Sequence, residues 1–181
     1  MTNRTVRWSK AAVMVVTVAA ACNPSSAWGA PDAEFPPLVR VRSSNPFIAA
    51  VIDEAAERSR VFRRLIERID ASDGLVYIDD GKCGHGVRAC LILSVQVAGP
   101  YRLLRIVVNA RREKKACDLM ASIGHELQHA IEVLGEPKVR DYHTAYAFYE
   151  HEGSTDWTKA SFETAAALRT GFAVRDEVCA R

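Results

Sequence analysis

The sequence predicts an α+β domain in which a small antiparallel or mixed sheet packs against helices, and three observations support this class. Apolar residues recur at three- and four-residue steps in segments 45–70 and 117–135, the period of a helix with one buried face. Between these segments, runs rich in Val, Ile and Leu alternate with turn residues, as β-strands do. After a short leader about 150 residues remain, the size of one domain with a single core.

The leader has the order of a secretory signal peptide. Basic residues precede an apolar run over 11–21, and small residues follow it. We expect residues 1–27 to be a signal peptide, cleaved after Ala27 or Ala30, and the protein to be secreted or periplasmic. The apolar run is shorter than the roughly 20 residues that a membrane-spanning helix needs. The sequence before Cys22 weakly resembles a lipoprotein box, so a lipid anchor at Cys22 is the alternative.

Residues 28–44 are predicted to be a tether, and residues 45–181 a single domain that opens with a helix. Asn45-Pro46 is typical of a helix start, and turn residues follow Asp70, so one helix is predicted over 45–70.

Strands are predicted next. Residues 75–78 have the composition of a strand. Runs 87–97 and 101–109, joined by Gly99-Pro100, predict an antiparallel hairpin.

The following helix carries the most informative motif. It is predicted to begin at Cys117 or Asp118 and to end at Gly135. Gly124 is expected to let a neighbouring strand approach closely. Directly after this glycine, His125-Glu126-Leu127-Gln128-His129 spells H-E-x-x-H.

The spacing of this motif suits a zinc site. Residues four apart share one face of a helix, with their Cβ atoms about 5–6 Å apart. His125 and His129 are therefore expected to bind one Zn²⁺ ion through their imidazoles. Glu126 can reach a water molecule on that ion and act as its general base. The alternative is a pair of core histidines that hydrogen-bond to backbone carbonyls, with Glu126 on a solvated face.

Beyond the motif helix, segment 136–153 is predicted to be irregular and aromatic. A last helix is expected to start near Ser154 or Thr155 and to break at Gly171. Glu163 would lie in the middle of that helix.

This order of elements resembles the zincin metallopeptidases, on the five motif residues 125–129 and the helix downstream. The resemblance implies a zincin-like fold, Zn²⁺ as cofactor and hydrolysis of peptide bonds in a peptide or protein substrate. No third histidine follows at the metzincin spacing, so the chain looks more like the gluzincins, in which a Glu on the next helix completes the site. By the same analogy, a sheet edge within 87–109 would hold an extended substrate.

Glu163 is the preferred third ligand, because a catalytic zinc site has three protein ligands and one open position. Glu132 lies about 10 Å along the helix axis from His125, so it is expected beside the site or on the surface. Asp156 is better explained as a charge in the first turn of the last helix. Other candidate ligands stay open in the connecting segment: His143, Glu150, His151 and Glu152. Candidate donors to a developing oxyanion lie there too: Tyr142, His143, Tyr146, Tyr149 and His151.

The cysteines beyond the leader are even in number, which in an exported chain predicts two disulfides. We prefer Cys83–Cys90, which closes a short loop, and Cys117–Cys179, which ties the motif helix to the C-terminus. The other two pairings remain open.

The net charge of +2, with no basic stripe, makes nucleic acid an unexpected partner. Beyond the leader, no apolar run has the length of a membrane span. Two further functions remain open: a zinc hydrolase of another amide, such as a cell-wall component, and a disulfide-stabilised binding module with an inert motif.

Overall fold

The fold alternates helices and short strands, as seen in a computed structural model that describes residues 39–84, 86–111, 115–152, 154–156 and 161–180. In chain order the elements are β1 (Val41–Arg42), α1 (Pro46–Arg58), α2 (Arg60–Asp70), β2 (Gly74–Asp80), β3 (Ala89–Ala98), β4 (Tyr101–Val108), α3 (Ala116–Gly135), α4 (Tyr142–Glu152), β5 (Ser154–Asp156), β6 (Ser161–Glu163) and α5 (Ala165–Cys179). The predicted α+β class is confirmed. The predicted signal peptide, its cleavage sites and the Cys22 anchor lie outside the described residues. None of the described helices is long and apolar enough to cross a membrane.

The larger sheet is mixed and has the strand order β1-β2-β4-β3. Strands β1 and β2 pair in parallel, as do β2 and β4, whereas β3 returns antiparallel to β4. The predicted strand and hairpin are therefore confirmed, and β1 is an addition. The order leaves β3 at one edge of the sheet, on the side that faces the site described below.

The core lies between this sheet and α3. The sheet and the helix contribute fully buried side chains to one apolar cluster, among them Val76, Ile78, Leu104, Ile106, Leu119, Ile123 and Leu127. Helix α3 spans Ala116–Gly135, which confirms the predicted motif helix to within about two residues.

The single helix predicted over 45–70 is wrong, because the chain breaks at Ser59. This residue is extended, ends α1 and begins α2, and its hydroxyl accepts a hydrogen bond from the amide of Phe62. The Ser59 Oγ also donates to Glu177 Oε2 in α5 at 2.5 Å. A distant carboxylate thus stabilises the break, which local periodicity does not reveal.

Gly124 makes room for a helix and not for the strand that the sequence predicts. A Cβ added at Gly124 would lie 2.9 Å from Cγ2 of Val174, so α3 and α5 cross in close contact at this residue. Gly171 allows the same close contact from the other helix, α5. A Cβ added at Gly171 would lie 3.2 Å from the Cβ of His125. Helix α5 therefore continues through Gly171, and the predicted helix break there is wrong.

The region after α3 differs most from the prediction. Helix α4 occupies much of the segment predicted to be irregular, and its start is capped by Asp141, whose carboxylate accepts from the amide of Thr144. The last helix begins at Ala165 and not near Ser154 or Thr155, which lie in β5. Asp156 also lies in β5, so its explanation as a helix first-turn charge is wrong.

Both preferred disulfides are present. Cys83–Cys90 closes the loop before β3, and Cys117–Cys179 joins the first turn of α3 to the last residue of α5. The second bond ties together the two helices that cross at Gly124.

Candidate metal centre

Two histidines of α3 and one glutamate bring their ligand atoms together. Glu163 Oε1 lies 3.0 Å from His125 Nε2 and 3.4 Å from His129 Nε2. One donor atom from each residue falls within 4.8 Å of the others. The helical turn between the histidines places both rings on the same face of α3. These three residues form a group that could hold a metal ion.

Glu163 reaches the group from a different element than the sequence predicts. It is the last residue of β6 and directly precedes Thr164, the N-cap of α5, so its predicted place in mid-helix is wrong. The Thr164 hydroxyl accepts from the amide of Ala167, which ends the strand and starts the helix. The carboxylate is thus held at the junction of β6 and α5.

The carboxylates beside the histidines set the protonation of the group. Burial opposes a charge on His129, but hydrogen bonds to Glu132 and Glu163 outweigh it and raise the pKa of His129 to about 9. Burial likewise disfavours ionised Glu163, and the hydrogen bonds from His125 and His129 lower its pKa to about 2. Without a metal ion, the imidazolium of His129 therefore lies beside the ionised carboxylate of Glu163. A cation that binds the imidazole would replace its proton.

Glu132 orients His129. Its Oε2 accepts from His129 Nδ1 at 3.0 Å, which leaves Nε2 directed at Glu163. Its Oε1 accepts from the hydroxyl of Thr164 at 2.8 Å. Glu132 thus joins α3 to the β6–α5 junction, which fits the expected place beside the site and not on the surface.

Glu126 is buried directly beside the group. Its Oε2 accepts from the backbone amide of Leu91 on β3 at 2.7 Å, and its Oε1 lies 3.9 Å from His125 Nε2. Burial raises the pKa of Glu126, and the nearby His125 and His129 act against this rise. One carboxylate oxygen is thus anchored to the edge strand, and the other is the oxygen that lies near His125 Nε2.

Three of the other four candidate ligands do not join the group. His143, Glu150 and His151 are exposed on α4. The side chain of Glu152 lies outside the described residues. A second group, formed by Cys117, Asp118 and Cys179, offers no thiolate because its cysteines are joined in a disulfide.

A groove of about 1020 Å³ runs over the group. Its walls come from β3 and the disulfide loop before it, from α4, and from Phe162 and α5. Of the five candidate oxyanion donors, Tyr142, Tyr146 and Tyr149 line the groove. The hydroxyl of Tyr149 is already committed, since it donates to the backbone carbonyl of His129 at 3.0 Å.

The donor set fits a divalent cation. Two imidazole nitrogens and one carboxylate oxygen are ligands that zinc accepts, and three protein ligands leave a position open. His125 and Glu163 keep 18% and 33% of their side chains exposed toward solvent, whereas His129 keeps 5%. An ion held here would therefore be reachable from the groove.

Three features of the site cannot be predicted from the sequence. They are the Leu91 amide, the Thr164 hydroxyl and the close approach of α5 to His125 that Gly171 allows. Each acts through a tertiary contact between distant parts of the chain. Comparisons with protein-family models, with curated proteins and with solved structures find no match to this chain.

Proposed function

We propose that this protein is an exported, zinc-dependent metallopeptidase of the gluzincin type that hydrolyses peptide bonds. The observation that carries the proposal is the convergence of His125, His129 and Glu163 beside a buried glutamate, all within an open groove. The two disulfides support the exported location, since such bonds persist in oxidising compartments.

In this proposal, His125, His129 and Glu163 hold the ion. Bound zinc supplies a water molecule of lowered pKa and a Lewis acid for the substrate carbonyl. Glu132 keeps the Nε2 of His129 available by accepting from its Nδ1.

Glu126 is the general base. Its Oε2 is fixed by the Leu91 amide, so its Oε1 keeps a constant position beside the histidines. That oxygen takes the proton of the attacking water and later passes it to the leaving amine. The raised pKa of Glu126 suits both steps, because the carboxylate must hold a proton and then release it.

Tyr142 and Tyr146 are the proposed sources of the donor that stabilises the developing oxyanion, because they line the groove. Tyr149 is the weaker candidate, since its hydroxyl already donates to the carbonyl of His129.

An extended substrate would lie along β3, the edge strand whose Leu91 amide points into the site.

The deciding experiment compares the wild type with Glu126→Gln. We expect each protein to bind about one zinc ion. Turnover of an unfolded protein substrate should be lower in the variant by at least about a hundredfold. Zinc content by elemental analysis and cleavage by mass spectrometry measure the two properties separately. Equal turnover in the two proteins would remove Glu126 from the mechanism.

Glu57→Gln is the matched control, because Glu57 is exposed on α1 and does not line the groove. It should keep both zinc and turnover. A wild type that holds no zinc, and whose folding a chelator leaves unchanged, would favour the binding-module alternative. Cleavage restricted to cell-wall fragments would favour a hydrolase of another amide.

A further inference from the structure

Exposed apolar side chains gather at the groove. Among the described residues, six large apolar side chains are markedly exposed, and three of these, Tyr142, Leu168 and Phe172, line the groove. Leu168 is 44% exposed and Phe172 is 62% exposed. Exposed apolar surface inside a concave site is typical of a surface that a ligand covers.

Two of these side chains belong to one face of α5. The residues of α5 that line the groove follow each other at steps of three, one and three: Leu168, Gly171, Phe172 and Arg175. Residues at such steps form one stripe along a helix. The stripe passes beside the metal centre, because a Cβ added at Gly171 would lie 3.2 Å from the Cβ of His125.

The apolar part of the stripe is short. It ends at Arg175, whose Nη2 lies 3.0 Å from Asp118 Oδ1. From Leu168 to Phe172 the helix rises about 6 Å, which is the length of one large side chain. Leu91 and Leu93 of β3 also line the groove and add apolar surface. The dimensions suit a single bulky apolar group.

We propose that the groove selects an unfolded polypeptide segment with one bulky apolar side chain next to the reacting bond, and that Leu168 and Phe172 form the subsite for this side chain. The inference rests on the proposed peptidase function. The edge strand β3 can pair with an extended backbone. The apolar walls favour an apolar side chain over a hydroxyl-rich sugar, whose polar groups would lose their hydrogen bonds to water without replacement.

Binding is tested without turnover, in zinc-loaded Glu126→Gln. Two blocked heptapeptides that differ only by Leu or Ser at the central position are titrated by calorimetry. We expect the Leu peptide to bind at least about tenfold more tightly. Phe172→Ser in the same background should abolish most of this preference while zinc content stays the same. Equal affinities of the two peptides for Glu126→Gln would overturn the inference.

Phe47→Ser is the matched control. Phe47 is 56% exposed on α1 and does not line the groove. The control should therefore keep the full preference for the Leu peptide. Loss of the preference in Phe47→Ser as well would show a general effect of surface apolarity and would contradict a subsite at Phe172.

Cleavage separates the inference from the function on which it rests. An unfolded protein is digested with the wild type and with Phe172→Ser, and the cut sites are identified by mass spectrometry. Enrichment of apolar residues at one side of the cut bond, weakened in Phe172→Ser, supports the subsite. Cleavage without enrichment overturns the subsite and keeps the peptidase. Tight binding of the Leu peptide with no cleavage of any peptide supports the subsite and overturns the peptidase.

Discussion

The single oxygen Glu163 Oε1 faces both motif histidines, at 3.0 and 3.4 Å. We predict that Glu163→Ala lowers zinc affinity by at least about a hundredfold, because one of three protein ligands is lost. Competition with a fluorescent chelator measures the affinity. Glu150→Ala, an exposed change on α4, should leave the affinity as it is. Unchanged zinc affinity in Glu163→Ala would move the third ligand elsewhere.

His129 makes the stability of the metal-free protein depend on pH. Its pKa is raised from 6.5 to about 9 in the folded protein, so its contribution is complete below pH 6.5 and is lost as the pH rises through about 9. We therefore predict that the free energy of unfolding, measured with urea in the presence of a chelator, falls over this interval. Glu163, whose pKa is lowered from 4.5 to about 2, contributes fully above pH 4.5 and loses this contribution as the pH falls toward about 2.

The control for this pH dependence is a second histidine. His143→Gln changes an exposed residue of α4 and should keep the decline in stability. His129→Gln should flatten it. A decline of the same size in His129→Gln would assign the effect to other groups.

The placement of side chains within one element is what the sequence predicts best. Five motif letters imply two ligands and a neighbouring base, because the helical repeat alone places His125 and His129 on one face. The Leu91 amide that anchors Glu126 is beyond such reasoning, since it comes from a strand 35 residues away in the chain. Spacing within one element can be derived from the local sequence, whereas a contact between two elements depends on how they pack.

At the scale of elements, strong periodicity predicts α3, β2 and the β3–β4 hairpin to within a few residues. The C-terminal segment is less predictable. Glu163 lies beside the two histidines, as the sequence predicts, but at a strand end that the sequence assigns to a helix. The three-residue strands β5 and β6 carry too few positions for an alternating pattern. The Ser59 break is missed because Glu177, far along the chain, stabilises it.

Arg102 of β4 holds the end of the motif helix. Its side chain is 3% exposed and forms a bidentate pair with Asp73, at 2.8 and 2.7 Å. It also donates to four backbone carbonyls at and beyond the C-terminus of α3: those of Val133, Leu134, Glu136 and Val139. A buried guanidinium thus satisfies carbonyls that the helix leaves without partners.

We predict that Arg102→Met lowers the free energy of unfolding by about 3–5 kcal/mol, because the change leaves buried carbonyls and Asp73 without their donor. Urea denaturation measures the loss. Arg105→Met is the control on the same strand: Arg105 pairs with Asp79 at 2.7 Å but is 58% exposed. It should cost less than about 1 kcal/mol. Equal losses in the two variants would contradict a capping role for Arg102.

At the scale of the whole molecule, apolar periodicity predicts an α+β chain and the cysteine count predicts two disulfides, and both are found. The sheet order is less accessible, since β2 pairs in parallel with β4 and the hairpin places β3 at the edge. The order of the strands decides which strand borders the groove. This order depends on how the elements pack, so no single segment of the sequence predicts it.

The Cys117–Cys179 bond closes a long loop, with a sequence separation of 62, and ties α3 to α5. We predict that Cys117→Ser/Cys179→Ser lowers the free energy of unfolding by about 4 kcal/mol, because the unfolded chain gains the entropy of an open loop. The shorter Cys83–Cys90 loop should contribute about 2.5 kcal/mol by the same reasoning. Urea denaturation of the two double variants gives the comparison. A larger loss on removing Cys83–Cys90 would contradict this order.

The most direct measurement is anomalous diffraction at the zinc edge from crystals of the zinc-loaded protein. The account predicts one peak bonded to His125 Nε2, His129 Nε2 and the carboxylate of Glu163, with a solvent molecule in the remaining position next to Glu126. A peak at other residues, or a site closed to solvent by neighbouring side chains, would contradict it.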